Sequence, residues 1–320
     1  MAKVSVIVPC YNEQATIRLL LEAITQQSFP LEDLEVVIAD GLSTDMTREI
    51  IHGFQIDHNE LNIQVVNNRK RIIPVGLNLA IEAAKGDYII RLDAHSIPDR
   101  NYIRYCVKAL DEGKGDNVGG IWEIKPQVET WIAKSIAVAA SHPLGVGDAR
   151  YRLGGDARLV DTVPFGAFRR SLVQEVGPYN EGLVTNEDYE FNVRIRKSGG
   201  KVWLDPRILS IYFARPSLKT LALQYGRYGF WKAQMLKENL STIRWRQLLP
   251  PVLVLSIIFL MIGSVLSPFL RPWLFAELGL YGLALIMAGV QSGVKARYLP
   301  YVLGVPLAIG TMHLVWGSTF

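Results

Sequence analysis

The carboxyl-terminal quarter most constrains what this chain can fold into. From Gln247 to Leu270 there is no charged residue, Pro272 to Val294 holds only Glu277, and Tyr298 to Phe320 holds only His313. Each stretch exceeds the roughly 20 residues that a helix needs to cross about 30 Å of hydrocarbon. Helices of a soluble core keep a polar face, so the pattern predicts three membrane spans. Two domains follow: residues 1–240, charged and globular, and residues 241–320, a membrane anchor of three transmembrane helices. The spans also account for an overall composition of 49% hydrophobic and 20% charged residues.

Flanking charges set an expected orientation. Arg244, Arg246, Lys295 and Arg297 border the first span and the link from the second to the third, whereas the first inter-span loop carries only Arg271. The positive-inside tendency then puts the globular part in the cytoplasm and the carboxyl terminus on the far side. The start of the chain, Met1-Ala-Lys-Val-Ser-Val-Ile-Val-Pro, reads as a strand rather than a secretory signal. Cys10 and Cys106 stand apart from any metal-type spacing and suit a reducing compartment. Basic residues between Arg227 and Arg246 suit anionic headgroups. No basic stripe with interleaved aromatics is present, which argues against nucleic acid.

Strand and helix patterns alternate through the globular part. Strands are predicted at Val4–Val8, Leu34–Ala39, Ile63–Val66 and Tyr88–Leu92, with helices at Ala15–Thr25, Thr44–Phe54 and Pro74–Ala84. This is an α/β pattern with a mostly parallel sheet flanked by helices. Ligands of such sheets bind outside the carboxyl ends of the strands. The first of these ends reads Pro9-Cys10-Tyr11-Asn12-Glu13, with neither a dinucleotide-binding Gly-x-Gly-x-x-Gly nor a P-loop. At the second, Ser43 or Thr44 can cap the next helix with Asp45 in its first turn, while Asp40 suits a base edge or a ribose hydroxyl. The cationic run Arg69-Lys70-Arg71 suits a diphosphate and equally an ordinary solvated loop. The fourth strand ends in Asp93-Ala-His95. Residues two apart on an extended chain point the same way, so both can face one divalent cation that holds phosphates.

The runs Val-Ile-Val-Pro-Cys-Tyr-Asn-Glu, Ala-Asp-Gly-Leu-Ser-Thr-Asp and Gly-Leu-Asn-Leu-Ala-Ile-Glu-Ala-Ala-Lys-Gly-Asp-Tyr-Ile-Ile-Arg-Leu-Asp-Ala-His resemble the family 2 inverting glycosyltransferases of GT-A fold. Asp161-Thr-Val-Pro-Phe-Gly-Ala-Phe-Arg-Arg and Thr185-Asn-Glu187-Asp188-Tyr-Glu-Phe-Asn-Val-Arg look like the family's acceptor-side segments. The resemblance covers about residues 3–235. The Asp-Ala-His variant and the apolar tail look most like bacterial exopolysaccharide transferases of the succinoglycan type.

By motif position the resemblance implies that Pro9, Tyr11 and Glu13 line a nucleotide pocket, that Asp40 binds the uracil or ribose side, and that Arg71 lies near the base or diphosphate. It gives Asp93 the metal and the donor phosphates, and Asp188 the part of catalytic base. The family's second metal-side aspartate is His95 here. An imidazole removes one negative charge and suits manganese better than magnesium.

Displacing a nucleoside diphosphate from a sugar requires charge stabilisation on the leaving oxygens and a base for the incoming hydroxyl. Glu187 and Asp188 begin a predicted amphipathic helix, where acids also complement the helix dipole; of the two, Asp188 is the expected base. Trp122, Trp203 and Trp231 read as core residues or as platforms for sugars. Gln224-Tyr-Gly-Arg227-Tyr228 resembles the Gln-x-x-Arg-Trp motif of processive synthases and also suits an interfacial helix.

Three spans are too few to form a polysaccharide pore. The expectation is therefore a metal-dependent hexosyltransferase in the bacterial inner membrane, using Mn or Mg. It would move one sugar from a nucleotide-sugar donor to a polyprenyl-diphosphate-linked acceptor. A polyprenyl-phosphate sugar synthase and a non-catalytic membrane scaffold are the alternatives.

Overall fold

A computed structural model describes residues 3–238 and 243–320. The chain forms two compact units. One runs to Glu123 and resumes over Gly154–Tyr212; the other comprises Ile124–Leu153 and Phe213–Phe320. The division therefore does not fall at residue 240, where the sequence placed a single boundary.

The first unit opens with β1 (Val4–Cys10), α1 (Ile17–Thr25), β2 (Leu34–Asp40), α2 (Thr47–Asp57), β3 (Asn62–Asn67), α3 (Ile73–Ala83) and β4 (Tyr88–Arg91). β1 pairs in parallel with β2 and β4, and β2 with β3. Central strands covered on both faces read as near-continuous apolar runs, and β1 and β2 are buried almost without exception. α1 shows the matching helical period: Ile17, Leu20, Leu21 and Ile24 are buried on one face. The buried acid Glu35 is satisfied by Ser5 Oγ and the amides of Lys85 and Gly86. Gly86 allows that approach, since a Cβ there would lie 2.7 Å from Ser5 N.

β5 (Ser96–Pro98), α4 (Tyr102–Asp111) and β6 (Asn117–Pro126) follow, the last strand reaching the second unit. The second unit continues with α5 (Trp131–Ala139), α6 (Pro143–Val146) and α7 (Arg150–Leu153). The chain then returns through β7 (Arg158–Leu159), β8 (Ala167–Arg169), α8 (Ser171–Val176), α9 (Glu187–Lys197) and β9 (Val202–Ala214). Strand order is β3-β2-β1-β4-β8-β6-β9-β5, with β7 on β9. Beyond β4 the observed pairings are antiparallel. The sheet is thus parallel where strand and helix alternate in sequence and antiparallel where later strands extend it.

The second unit ends in α10 (Leu218–Glu238), α11 (Trp245–Leu266), α12 (Arg271–Ala296) and α13 (Tyr301–Thr319). Among the described residues three helices are long and apolar enough to cross a membrane: Trp245–Leu266, Pro268–Ala296 and Tyr301–Thr319. By length and composition they fit a C-terminal transmembrane tail.

Candidate active site

The loops after β1, β2 and β3 converge at one edge of the first unit. Each contains a residue in left-handed backbone: Asn12 (φ 54°), Leu42 (φ 57°) and Arg71 (φ 57°). For residues with a Cβ this conformation costs about 1–2 kcal/mol, and such strain gathers at functional sites. Side chains stitch the first two loops together. Asn12 N donates to Ser43 Oγ (2.9 Å), Thr44 N to Asn12 Oδ1 (2.9 Å) and Glu13 N to Thr47 Oγ1 (2.8 Å). Ser43 and Thr44 are therefore loop ties. The residue at the cap position is Met46, with no side-chain cap, and Asp45 Oδ1 accepts from Thr47 N at 3.1 Å.

Tyr11 forms a platform on this scaffold. It is 43% exposed and lies against Gly41, where a Cβ would meet Tyr11 Cδ2 at 3.0 Å. Arg71 Cζ stands 5.3 Å from the centre of the Tyr11 ring, so these two predicted residues do meet. Pro9, half-buried, pairs in register with Ala39 beneath them. Asp40 differs from expectation. Its carboxylate is fully buried and accepts from Ser43 N, Ser43 Oγ and Arg48 Nε. No face of it is left for a base or a ribose, because the turn over residues 41–45 closes on it.

At the end of β4, Asp93 keeps a partly exposed carboxylate, and its main-chain oxygen accepts from Ser96 N (3.0 Å) and Ser96 Oγ (2.7 Å). His95 turns toward the first loop, with Nδ1 3.1 Å from Glu13 Oε1, while Glu13 Oε2 accepts from Thr16 Oγ1 (2.6 Å). A carboxylate on one ring nitrogen orients an imidazole for work at the other. Among the described residues no group of three or more His, Cys, Asp and Glu side chains converges as a metal cage. Asp93 with His95 nevertheless fits a cation held chiefly by substrate phosphates, which needs only one or two protein donors.

Arg91 joins this edge to α9. Its Nη2 lies 3.2 Å from Asp93 Oδ1 and 2.9 Å from Glu187 Oε1, and the residue is only 4% exposed. Burial opposes its charge, yet Asp93, Glu187 and Asp188 hold the guanidinium well above its ordinary pKa. Its Nε and Nη1 are buried with no hydrogen-bond partner among the described residues. A buried cation with unsatisfied donors is a poor device for stability alone. Sequence reading passed Arg91 over, although it stands two residues before Asp93 at the end of an otherwise apolar strand.

Glu187 and Asp188 face different surroundings. Glu187 is buried on Arg91, and burial pushes its carboxyl up to about 7 despite that cation. Asp188 is only half-buried; its Oδ1 accepts from Tyr189 N at 2.7 Å, and desolvation raises its pKa too, against the pull of Arg91. Asn186, left-handed at φ 69°, turns the chain into this helix. Asn192 fixes its inner face, donating to Thr162 Oγ1 (3.0 Å) and Asp188 O (2.9 Å). The 161–170 and 185–194 motifs are thus neighbours in space.

An aromatic group adjoins His95: Trp122 stacks on Tyr212 with centroids 4.2 Å apart, and Tyr212 meets His95 edge-on at 6.4 Å. Trp203 packs against the main core, and Trp231 meets Phe230 edge-on. Gln224, Arg227 and Tyr228 lie on α10 of the second unit, where Gln224 Nε2 donates to Tyr228 Oη (2.9 Å) and Arg227 is exposed.

Residues 5–177 match the family described as Glycosyl transferase family 2. Among curated relatives, the dolichyl N-acetyl-alpha-D-glucosaminyl phosphate 3-beta-D-2,3-diacetamido-2,3-dideoxy-beta-D-glucuronosyltransferase of Methanococcus voltae is 28% identical, over 97% of this chain and 93% of its own. Succinoglycan biosynthesis protein ExoA of Rhizobium meliloti is 29% identical, over 98% and 93%. In fold the chain is similar to a mannosyltransferase of Pyrobaculum calidifontis solved with GDP-Man and Mn2+. The TM-score is 0.61 at 20% identity, covering 95% of this chain and 85% of that one. It is also similar to TarS of S. aureus solved with UDP, with a TM-score of 0.51 at 16% identity over 95% and 90%.

Proposed function

The chain belongs to glycosyl transferase family 2, and on that premise we propose that it moves one sugar from a nucleoside-diphosphate donor to a lipid-linked saccharide at a membrane surface. The fold is GT-A and the protein is a glycosyltransferase. The lipid-linked acceptor is supported by the Methanococcus voltae relative, whose name specifies a dolichyl-linked sugar phosphate, and by the apolar tail. Exopolysaccharide assembly in a bacterial inner membrane, with the first unit cytoplasmic, is the setting that the ExoA likeness favours.

The observation that carries the catalytic assignment is the unequal fate of the two adjacent acids. Glu187 is buried and committed to Arg91, whereas Asp188 is only half-buried and keeps surface open to an acceptor, with desolvation raising its pKa. A general base works best with a pKa drawn toward the operating pH. Asp188 therefore takes the proton of the acceptor hydroxyl as that oxygen attacks the anomeric carbon and the nucleoside diphosphate departs on the opposite face. Tyr11 and Arg71 hold the base of the nucleotide. Asp40 positions their loop from beneath rather than touching the ligand, and Glu13 orients His95. Asp93, with His95, would hold a divalent cation, which when bound neutralises the leaving phosphates.

The test is transfer from a panel of UDP- and GDP-sugars to lipid-linked oligosaccharide extracts in reconstituted vesicles. A labelled sugar on the oligosaccharide supports the reading. A sugar found directly on a monophosphate lipid would replace it with the polyprenyl-phosphate synthase reading.

A further inference from the structure

A groove of about 430 Å³ opens in the second unit between α5 and the link from α12 to α13. One helical stripe of α5 lines it: Lys134, Ala137, Val138 and Ser141, spaced three and four apart. Ile136 and Ala139, on the adjoining face, pack with Val305, Ala308 and Met312 of α13. The tail therefore holds α5 in place and leaves the Lys134 stripe toward the groove. Ile124 and Pro126, at the end of β6, add apolar wall.

Two tyrosines close the other side. α12 is capped by Arg297, left-handed at φ 51°, with Tyr298 N donating to Gly293 O at 3.0 Å. This is the geometry that turns a chain at the end of a helix. It brings Tyr298 and Tyr301 to the groove, edge to ring with centroids 4.9 Å apart. Lys134 Nζ stands 5.9 Å from the centre of the Tyr298 ring and 2.8 Å from Glu129 Oε2. The Glu129 side chain is 82% exposed. A surface pair of that kind holds little energy, so a bound anion can take the place of Glu129 on the ammonium. Outside the groove, Val294, Leu299 and Leu303 are exposed on both sides of the link, beside exposed Lys295 and Arg297. Apolar residues turned outward, with tyrosines and cations at a helix end, belong at the headgroup level of a bilayer.

We infer that this groove binds the phosphate-bearing end of the acceptor lipid, with Lys134 as its counter-charge and Tyr298 and Tyr301 supplying hydroxyl donors. At ~30 Å³ for each water-sized group, the space suits a phosphate and a short length of chain. The apolar wall suits the first prenyl carbons, which a free phosphate lacks. Bulk anionic phospholipid is held by clusters of cations. Here one cation stands in a largely apolar wall, the proportions of a site for a specific ligand. The inference rests on the lipid-linked acceptor of the proposed function and gives Lys134 no part in the chemistry of Asp188.

The test titrates the full chain in phosphatidylcholine nanodiscs with a polyprenyl phosphate, without donor sugar. Lys134→Gln should raise the Kd about tenfold, the scale of one charge-assisted hydrogen bond, and Lys134→Arg should keep most of the affinity. Glu129→Gln should tighten binding, because it removes the competing carboxylate, and no folding defect would give that result. The Kd for nucleoside diphosphate should be the same in the parent chain and the three variants. Equal affinity for polyprenyl phosphate in the parent chain, Lys134→Gln and Glu129→Gln overturns the inference. So does equal displacement by phosphatidylglycerol, which would make the groove a site for bulk anionic lipid. Transfer is measured separately. Lipid bound through Lys134 with no sugar transferred would sink the proposed function and leave the groove. Transfer to the lipid-linked saccharide, with binding indifferent to Lys134, would sink the groove alone.

Discussion

Arg91 Nη2 lies 2.9 Å from Glu187 Oε1, with both residues almost wholly buried. The tip of β4, which carries Asp93, is thereby tied to the first turn of α9, which carries Asp188. One guanidinium thus fixes the end of β4 relative to the start of α9.

Removing that cation leaves Glu187 buried without a counter-charge. Arg91→Met should cost about 3–5 kcal/mol of stability, read from denaturant unfolding of the detergent-solubilised protein. Arg91→Lys should restore part of it, lacking the planar fork. In Arg91→Met/Glu187→Met the loss should shrink, because no unpaired glutamate remains.

Asp188→Asn should lower kcat on the order of 10³-fold, as expected for loss of a general base, with the Kd for nucleoside diphosphate nearly unchanged. Single-turnover kinetics alongside equilibrium nucleotide binding provide the check. Unchanged turnover would remove Asp188 from the base role.

Burial raises the Glu187 carboxyl to about 7 from an unfolded value near 4.5. The folded protein therefore binds more protons there than the unfolded chain, and stability falls as pH rises through that interval. Glu187→Gln should flatten this slope. The comparison is of unfolding midpoints for both proteins between pH 4 and pH 8, roughly the span of the two values.

Tyr11→Ala should weaken binding of uridine or guanosine diphosphate by about tenfold, the scale of one lost base–aromatic stack. Gly41→Ala should produce a smaller loss, since its Cβ would press on Tyr11 at 3.0 Å. Calorimetric titration of both variants gives the ranking, and a larger effect at Gly41 would contradict the platform.

Chelation should lower turnover, and added Mn or Mg should restore it. His95→Asp should shift the preference from Mn toward Mg, because carboxylates suit magnesium and imidazoles suit transition metals. Turnover that survives exhaustive chelation would sink the role given to Asp93.

The residues legible in sequence were those whose chemistry is local. Asp93 at a strand tip and the adjacent acids before an amphipathic helix can each be read from neighbours along the chain, whereas Tyr11 entered only through the family resemblance. Arg91 was hidden because its partner Glu187 lies far along the chain. Asp40 was legible as an acid at a strand end, but its burial beneath Ser43 and Arg48 depends on how the following turn closes.

The sequence by itself determined the alternation of strands and helices, hence the parallel half of the sheet, and the three apolar stretches, because hydrophobic period and length act locally along a chain. Only the tertiary structure decided which of two adjacent acids pairs with Arg91, which carboxylate is sealed, and that Val305, Ala308, Ile309 and Met312 of α13 face protein. Those outcomes depend on which distant groups share one buried volume. Desolvation and pairing there set the fate of each charge and of each apolar face.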